Sequence, residues 1–214
     1  MEARINALFS SKELVAKNAQ SQAKVIKSFH FSEEQMQHEF FLNDGYKAFA
    51  QQLPIIQQNE TYHFISLGNW SLKHVVFHVL SLIGKAEIYS TTYGLGPKTA
   101  RGIVQAIEKG MISNFNFLYD NKIKTYKEEA HNICVSNFPV QIVSIHAKVT
   151  VLINEEWSVV IGGSSNWSDT NDKIEYNTVF VSKKLADFHK DWILRVIAAG
   201  YSEPTKIYHE IFAN

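Results

Sequence analysis

The sequence predicts an α/β protein, a sandwich in which helices flank a mixed central sheet. Three observations predict this class. From Tyr62 onward, runs rich in Val, Ile, Phe and Tyr alternate with amphipathic segments of helical period, and further strand pairs follow. The 214 residues are 45% hydrophobic, which suffices for one sizeable core. Cys134 is the only cysteine, so the fold cannot depend on an internal disulfide framework.

The first 58 residues are expected to form a helical region that precedes an α/β domain at 59–214. Ser32 is the predicted N-cap of its main helix, with Glu33 and Glu34 in the first turn and an apolar stripe after them. The polar stretch QQNET, at 57–61, is the predicted joint between the two parts.

The elements of the α/β domain are predicted in order from their caps and periods. The predicted strands read YHFISLG, AEIYSTTYG, SNFNFLYD, the two arms of a hairpin around Asn154–Glu156, and EYNTVFVS. The predicted helices read WSLKHVVFHVLSLIG, which Gly84 closes, PKTARGIVQAIEKGM, which has Pro97 at its start, TYKEEAHNICV, and SKKLADFHKDWILRVIAAG, which Ser182 caps.

The composition excludes a generally basic surface for nucleic acid. There are 21 basic and 21 acidic residues and the formal charge is zero, so a polyanion would need a local patch. No apolar run is long enough to span a bilayer, and the first twenty residues are charged rather than signal-like. We therefore expect a cytoplasmic protein of a reducing compartment, with no membrane partner.

One predicted strand carries a histidine and a lysine two residues apart. In the stretch SIHAKVTVLINEEWSVVIGGSSNW, strand alternation places His146, Lys148 and Thr150 on one face, and an apolar set from Ile145 to Ile153 on the other. An imidazole beside an ammonium is poor material for a core. This face is therefore predicted to carry chemistry.

The return strand ends in GGSSNW, which adds Ser164 and Asn166. Glu175 follows nine residues later, at the mouth of another predicted strand. The order His-x-Lys, Gly-Ser-x-Asn, Glu resembles that of the phospholipase D superfamily, and in particular its single-motif, endonuclease-like members from phages and mobile elements. The resemblance is sharpest between His146 and Asn177. It implies the phospholipase D-like version of the α/β sandwich.

The family signature also has an Asp five residues after the lysine. This chain has Ile153 there, with Asn154 as the next residue. In the wider family that Asp is thought to orient and support the site rather than to react. Its replacement therefore leaves the predicted nucleophile in place.

The resemblance implies phosphodiesterase chemistry without a metal or another cofactor. His146 would attack phosphorus and form a phosphohistidine, which water then opens. Glu175 would accept a hydrogen bond from the other ring nitrogen and fix its tautomer. Lys148, Ser164 and Asn166 would donate to the non-bridging oxygens. A second histidine must protonate the leaving oxygen, so a chain with one motif implies a homodimer that places both His146 residues in one cleft.

Three functions follow from this resemblance. The favoured one is a nuclease that acts on DNA or RNA in the cytoplasm of a bacterium or a phage-infected cell. A phospholipid hydrolase would instead need an exposed apolar rim near the cleft. The missing Asp and the zero net charge favour the third, a catalytically degenerate member that binds nucleic acid or serves as a structural or virion-associated component.

Two further groups of residues have alternative interpretations. Thr91, Thr92 and Tyr93 follow a strand end, where ligands gather in α/β sheets, so they either line the cleft or only end the strand. The lysines that follow the third strand form either a solvated face or a track for a nucleic-acid backbone. They are Lys122, Lys124 and Lys127.

Overall fold

A nine-stranded mixed sheet lies at the centre of the fold. The computed structural model describes residues 27–33, 36–43, 50, 53–68, 70–169 and 173–200. The strands are β1 Lys27–Glu33, β2 Met36–Asn43, β3 Thr61–Leu67, β4 Ala86–Thr92, β5 Ile112–Asp120, β6 Val140–Val143, β7 Val149–Ile153, β8 Ser158–Gly163 and β9 Ile174–Val181. Their order across the sheet is β1-β2-β3-β9-β8-β7-β4-β5-β6. Three neighbouring pairs are parallel, β2 with β3, β4 with β5 and β5 with β6, and the others are antiparallel.

Helices flank this sheet, which confirms the predicted α/β class. They are α1 Leu72–Ile83, α2 Pro97–Glu108, α3 Asn121–Tyr126, α4 Glu128–Val135 and α5 Lys183–Ala199. The predicted caps are present, because Gly84 follows α1, Pro97 opens α2, and the Ser182 hydroxyl accepts a hydrogen bond from Leu185 N at the start of α5. Within the described ranges, no helix has both the length and the apolar character to cross a membrane.

Alternation of side chains along the strands divides the core between the two faces of the sheet. Ile88 and Phe117 point to one face and are buried under α1, α2 and α4. Their neighbours Tyr89 and Leu118 point to the other face and are buried under α5. Burial of a large apolar side chain stabilises a fold by about 1.5–3 kcal/mol. The two apolar layers thus hold the strand ends, and the loops after them, in fixed relative positions.

The prediction of a helix that begins at Ser32 is wrong for the residues of this region that the structure describes. Residues Lys27–Glu33 and Met36–Asn43 are strands, and β2 extends the sheet beside β3. The sequence explains this, because Phe29 and Phe31 alternate with polar residues at the strand period of two. The other residues of the predicted helical region up to 52, except residue 50, lie outside the described residues. The boundary at 58/59 stays a prediction.

The pairs at the C-terminal side of the domain follow the prediction closely. Strands β7 and β8 form the expected hairpin around Asn154–Glu156, and β9 pairs with β8. The short strand Val140–Val143 was not predicted from the sequence; its four residues include the polar Gln141, so the apolar run is brief. It pairs only with β5 among the described strands and supports the segment that leads to His146.

Candidate active site

His146 and Lys148 lie in the connection between β6 and β7, one to three residues before β7 begins at Val149. The expectation that both belong to the strand is therefore wrong, although Thr150 does lie on β7 and is buried. The His146 side chain is exposed and Lys148 is half-buried. A histidine on a connection at the edge of the core is accessible to a substrate, whereas one within β7 would face packed neighbours.

Side chains from the ends of β4 and β5 hold this connection in place. The Thr91 hydroxyl donates to Ala147 O at 3.0 Å and accepts from Val149 N at 3.1 Å. The Asp120 carboxylate accepts from Ile145 N at 3.1 Å. Both Thr91 and Asp120 are buried, so these bonds are shielded from competing water. They fix the backbone on both sides of His146.

The Lys148 ammonium lies against the imidazole of His146. It donates to His146 O at 2.8 Å and lies 3.2 Å from Nδ1 and 3.4 Å from Nε2. Burial lowers the pKa of Lys148 below its ordinary value, and the negative charge of Glu175 partly opposes that shift. An ammonium can donate to a ring nitrogen that has a free lone pair, as one nitrogen of a neutral imidazole has.

Gly163 allows β8 and β9 to approach closely enough to bring Ser164 against Glu175. A Cβ atom at Gly163 would lie 2.1 Å from Tyr176 O, so only glycine fits here. Ser164 N donates to Tyr176 O at 2.8 Å, and Tyr176 N donates to Ser164 Oγ at 3.0 Å. The Ser164 hydroxyl then donates to the Glu175 carboxylate. Within the described chain, the partner of Glu175 is thus Ser164 and not His146, and its predicted role toward the imidazole stays a prediction.

The two ends of the Asn166 side-chain amide have different surroundings. Its Oδ1 accepts from Gly94 N at 3.0 Å and from Tyr93 N at 3.2 Å, so it holds the turn that follows β4. Among the described residues its Nδ2 has no hydrogen-bond partner, which leaves two N–H groups for a ligand. The next residue, Trp167, is fully buried and donates from Nε1 to Ser90 Oγ at 2.8 Å. This anchor fixes the position of Asn166.

Tyr93 joins the turn to the histidine. Its ring lies 4.6 Å from the ring of His146, centroid to centroid, at a tilt of 54°. The Lys148 ammonium lies 5.6 Å from the centroid of the same ring. Contacts therefore connect Asn166 through Tyr93 to His146 and Lys148. Ser164 is hydrogen-bonded to Glu175, and the charge of Glu175 acts on Lys148. Of the three residues that either line a cleft or only end the strand, Thr91 and Thr92 are fully buried at the end of β4, and only Tyr93 lies beside His146.

Lys122 is the residue whose place in the site the sequence did not settle. Its ammonium donates to the Tyr93 hydroxyl and lies 5.0 Å from the centroid of the Tyr93 ring. The signal was present, since Lys122 is the second residue after the end of the predicted strand SNFNFLYD. Its closeness to His146 depends on the pairing of β4 with both β5 and β7, which residue patterns along the chain do not specify.

The position of the family Asp lies at the far end of β7 from His146. Ile153 ends the strand and is partly buried. Asn154 Oδ1 accepts from the backbone N–H groups of Glu156 and Trp157, and its Nδ2 donates to Ile83 O at 2.9 Å. Asn154 thus closes the hairpin and ties it to the end of α1. The residue at this end of β7 has a structural role that an asparagine can perform.

No cluster of three or more His, Cys, Asp or Glu side chains suited to a metal ion occurs among the residues that the structure describes. The charged groups around His146 are instead the ammonium groups of Lys148 and Lys122 and the carboxylate of Glu175. Such an arrangement can bind an anion through direct hydrogen bonds.

No protein-family model matches the chain, and no curated protein matches it. Among solved structures, it is similar to NucT from Helicobacter pylori, at 14% identity and a TM-score of 0.45, over 65% of this chain and 97% of that one. It is also similar to polyphosphate kinase from Porphyromonas gingivalis, at 11% identity and a TM-score of 0.47, over 72% of this chain and 25% of the kinase. A third similar structure is TrmBL2, an archaeal chromatin protein described as showing a novel mode of DNA binding, at 8% identity and a TM-score of 0.45, over 73% of this chain and 59% of that one. Each TM-score is below 0.5, so the function proposed next rests on the residues of the site.

Proposed function

We propose that the chain is a phosphodiesterase of the phospholipase D type, a nuclease that cleaves nucleic acid through a phosphohistidine intermediate. The observation that carries the proposal is the exposed His146 with the Lys148 ammonium 3.2 Å from its Nδ1. The contacts that link Asn166 through Tyr93 to this pair support it, as does the charge of Glu175, which is hydrogen-bonded to Ser164 and acts on Lys148. An uncharged nucleophile beside fixed cationic donors is what attack on an anionic phosphodiester requires.

In the first step a ring nitrogen of His146 attacks phosphorus. A nitrogen–phosphorus bond forms, the bond from phosphorus to the leaving oxygen breaks, and that oxygen takes a proton from a general acid. Before attack, Lys148 must release the ring nitrogen that it contacts. Bound phosphate favours this release, because its charged oxygens accept from an ammonium more strongly than a neutral imidazole does.

Charge grows on the non-bridging oxygens during this step. Lys148 and the amide Nδ2 of Asn166 are the donors that meet it. The Ser164 hydroxyl already donates a hydrogen bond to Glu175. Ser164 can therefore donate to a phosphate oxygen only after its bond to Glu175 breaks. Ser164 therefore contributes less than the other two donors.

In the second step water attacks the phosphohistidine and restores His146. The water gives its proton to the general acid of the first step, which is now a base, and the nitrogen–phosphorus bond breaks. The general acid is the His146 of a second copy of the chain. A two-fold symmetric homodimer supplies it without any further sequence motif.

The test is turnover by purified protein and by His146→Ala, prepared in the same way. The substrates are bis(p-nitrophenyl) phosphate, labelled single- and double-stranded DNA and RNA, and phosphatidylcholine vesicles. We expect cleavage of nucleic acid and of the small diester by the wild type and none by His146→Ala. Because a nitrogen–phosphorus bond is labile in acid, the reaction is quenched in alkaline denaturant, which should recover labelled phosphate on histidine only from the wild type. Because His146 is exposed, the variant should unfold at the temperature of the wild type.

Each other result rejects part of the proposal. Cleavage of vesicles but not of nucleic acid indicates a phospholipid hydrolase. Binding of nucleic acid without turnover of any diester indicates a degenerate, non-catalytic member. Wild-type rates in His146→Ala mean that the nucleophile is another residue.

A further inference from the structure

Lys122 is an exposed lysine that the proposed chemistry does not use, yet it is tied to the site. Its ammonium donates to the Tyr93 hydroxyl and also lies over the Tyr93 ring. Tyr93 is itself fixed, because Asn166 binds its backbone N–H and its ring packs against His146. A surface lysine usually samples many rotamers, whereas the ammonium of Lys122 has two contacts with Tyr93, whose ring lies beside His146.

The distances place Lys122 beside the reacting group but not on it. Its Nζ lies 5.0 Å from the centroid of the Tyr93 ring, and the His146 ring lies 4.6 Å from that centroid. Together they keep the ammonium within about 10 Å of the imidazole, which is no farther than the Debye length in 0.1 M salt. Lys148 already occupies the position next to the imidazole. Lys122 is therefore placed for a second anionic group.

We infer that Lys122 and Tyr93 form a second phosphate subsite, which binds the phosphate next to the one that is cleaved. This rests on the proposed function and gives it a substrate class. A nucleic-acid strand carries a further phosphate on each side of the cleaved bond, whereas a phosphatidylcholine has only one phosphodiester. The two-lysine arrangement thus selects a polynucleotide, although the chain as a whole has no net charge.

Lys124 provides a matched control. It lies on α3, the same helix as Lys122, it is exposed, and it carries the same charge. Burial lowers the pKa of His131, and the charge of Lys124 contributes to this shift. Replacing either lysine by Ala changes the net charge equally, so only the position of the charge differs between the two variants.

The experiment measures binding of a fluorescent single-stranded DNA oligonucleotide as a function of NaCl, with each lysine variant made in the His146→Ala background to prevent cleavage. Each phosphate contact contributes about 0.7 to the slope of log K against log salt for a single strand. We expect Lys122→Ala to reduce the slope by about that amount. Lys122→Arg should retain the slope, Tyr93→Phe should reduce affinity by removing the anchor, and Lys124→Ala should match the parent.

Equal slopes for the parent and Lys122→Ala overturn the inference, as does an equal loss in Lys122→Ala and Lys124→Ala, which would indicate a diffuse basic surface. Absence of oligonucleotide binding by the parent also overturns it. Turnover of bis(p-nitrophenyl) phosphate by the chain with His146 intact reports separately on the proposed chemistry. In that active background, Lys122→Ala should raise KM for the oligonucleotide by at least several-fold more than it raises KM for the small diester.

Discussion

The Glu175 carboxylate accepts a hydrogen bond from the Ser164 hydroxyl and at the same time acts electrostatically on Lys148. Burial lowers the pKa of Lys148, and the charge of Glu175 raises it again in part. Within one chain, the charge of Glu175 thus favours the charged form of the lysine. This is a different role from that of orienting the imidazole, and the two roles give different pH profiles.

We predict that Glu175→Gln moves the alkaline limb of the activity profile to lower pH. Lys148 acts as a cation, so activity is lost as the pH rises through its pKa. Glutamine is isosteric but uncharged, and it removes the contribution that raises this pKa. One acid–base contribution typically changes a rate by about 10²–10⁴-fold, and at neutral pH the fall in rate should lie within or below this range. The measurement is kcat/KM against pH, with the exposed Glu156→Gln in the hairpin as the control.

An alkaline limb that stays in place in Glu175→Gln would contradict this electrostatic role. If the acidic limb moves instead, Glu175 acts on the imidazole as the family resemblance implies. The double variant with His146→Ala should be no less active than His146→Ala alone, because residues that act as a unit are non-additive.

Two substitutions of Asn166 should separate its structural role from its catalytic one. Asn166→Asp keeps the oxygens that accept from the N–H groups of Tyr93 and Gly94 but loses the Nδ2 donor and adds a negative charge. We expect it to fold with nearly normal stability and to lose activity. Asn166→Ala removes the acceptor of Tyr93 N and leaves Gly94 N with only the longer bond to Thr92 Oγ1 at 3.3 Å. This loss should lower the free energy of unfolding by about 1–3 kcal/mol.

Urea unfolding and turnover of bis(p-nitrophenyl) phosphate measure the two effects in the same preparations. If Asn166→Asp remains active, the Nδ2 group does not contact the phosphate. If both variants are equally destabilised, the accepted hydrogen bonds are not the structural contribution of Asn166.

The adjacent glycines at the end of β8 should respond differently to alanine. A Cβ at Gly163 meets Tyr176 O at 2.1 Å, whereas a Cβ at Gly162 has no atom within 4 Å. We expect Gly163→Ala to lower the free energy of unfolding by about 1–3 kcal/mol or more and to separate Ser164 from Glu175. Gly162→Ala should change it by less than about 1 kcal/mol. If the two variants had similar unfolding midpoints and similar turnover rates, the close approach of β8 and β9 would be contradicted.

The local parts of the site could be predicted from the sequence, whereas the contacts between distant segments could not. His146 and Lys148 are two residues apart, and Ser164 and Asn166 belong to one short motif, so each pair is visible in a few letters. The place of Tyr93 over His146 depends on β4 pairing with β7, residues about sixty positions away in the chain. The local part was wrong in one detail, because β7 begins later than the alternation of side chains suggests. Just before β7, the Thr91 hydroxyl donates to Ala147 O and accepts from Val149 N, so a side chain replaces the backbone partners of a strand.

The N-terminal strands show the other limit of prediction from sequence. Ser32 followed by glutamates is a strong helix-start signal, but helix propensity is a weak preference that tertiary pairing overrides. Here β2 pairs in parallel with β3 over His38 to Asn43. Strand β9 pairs with one edge of β3, and β2 provides hydrogen-bond partners for the backbone groups at the other edge. A pairing between residues 23 positions apart leaves no signal in a single helical window.

Removal of divalent metal should leave the activity intact. In the proposed mechanism Lys148 and Asn166 supply the donors that stabilise charge on phosphate, which is the task a metal performs in other phosphodiesterases. We expect EDTA at about 10 mM to change the rate by less than about twofold. The measurement is initial rate on the oligonucleotide before and after dialysis against chelator. Loss of activity that magnesium or manganese restores would assign the chemistry to a metal site.

Mixed dimers should reveal whether two copies of His146 share one site. If one His146 attacks phosphorus and the other protonates the leaving oxygen, a dimer with a single His146 lacks one of the two functions. Random exchange of equal amounts of wild type and a tagged His146→Ala chain leaves about one quarter of the dimers with both histidines. We therefore expect the activity to fall to about one quarter of that of the same total amount of wild-type protein, rather than to the half expected if each chain acts alone. Sedimentation must show one dimeric species before and after mixing, and purification through the tag must recover untagged wild-type chain, which proves that exchange has occurred. An activity of one half after proven exchange, or a fully active monomer at micromolar concentration, would place the general acid within the single chain.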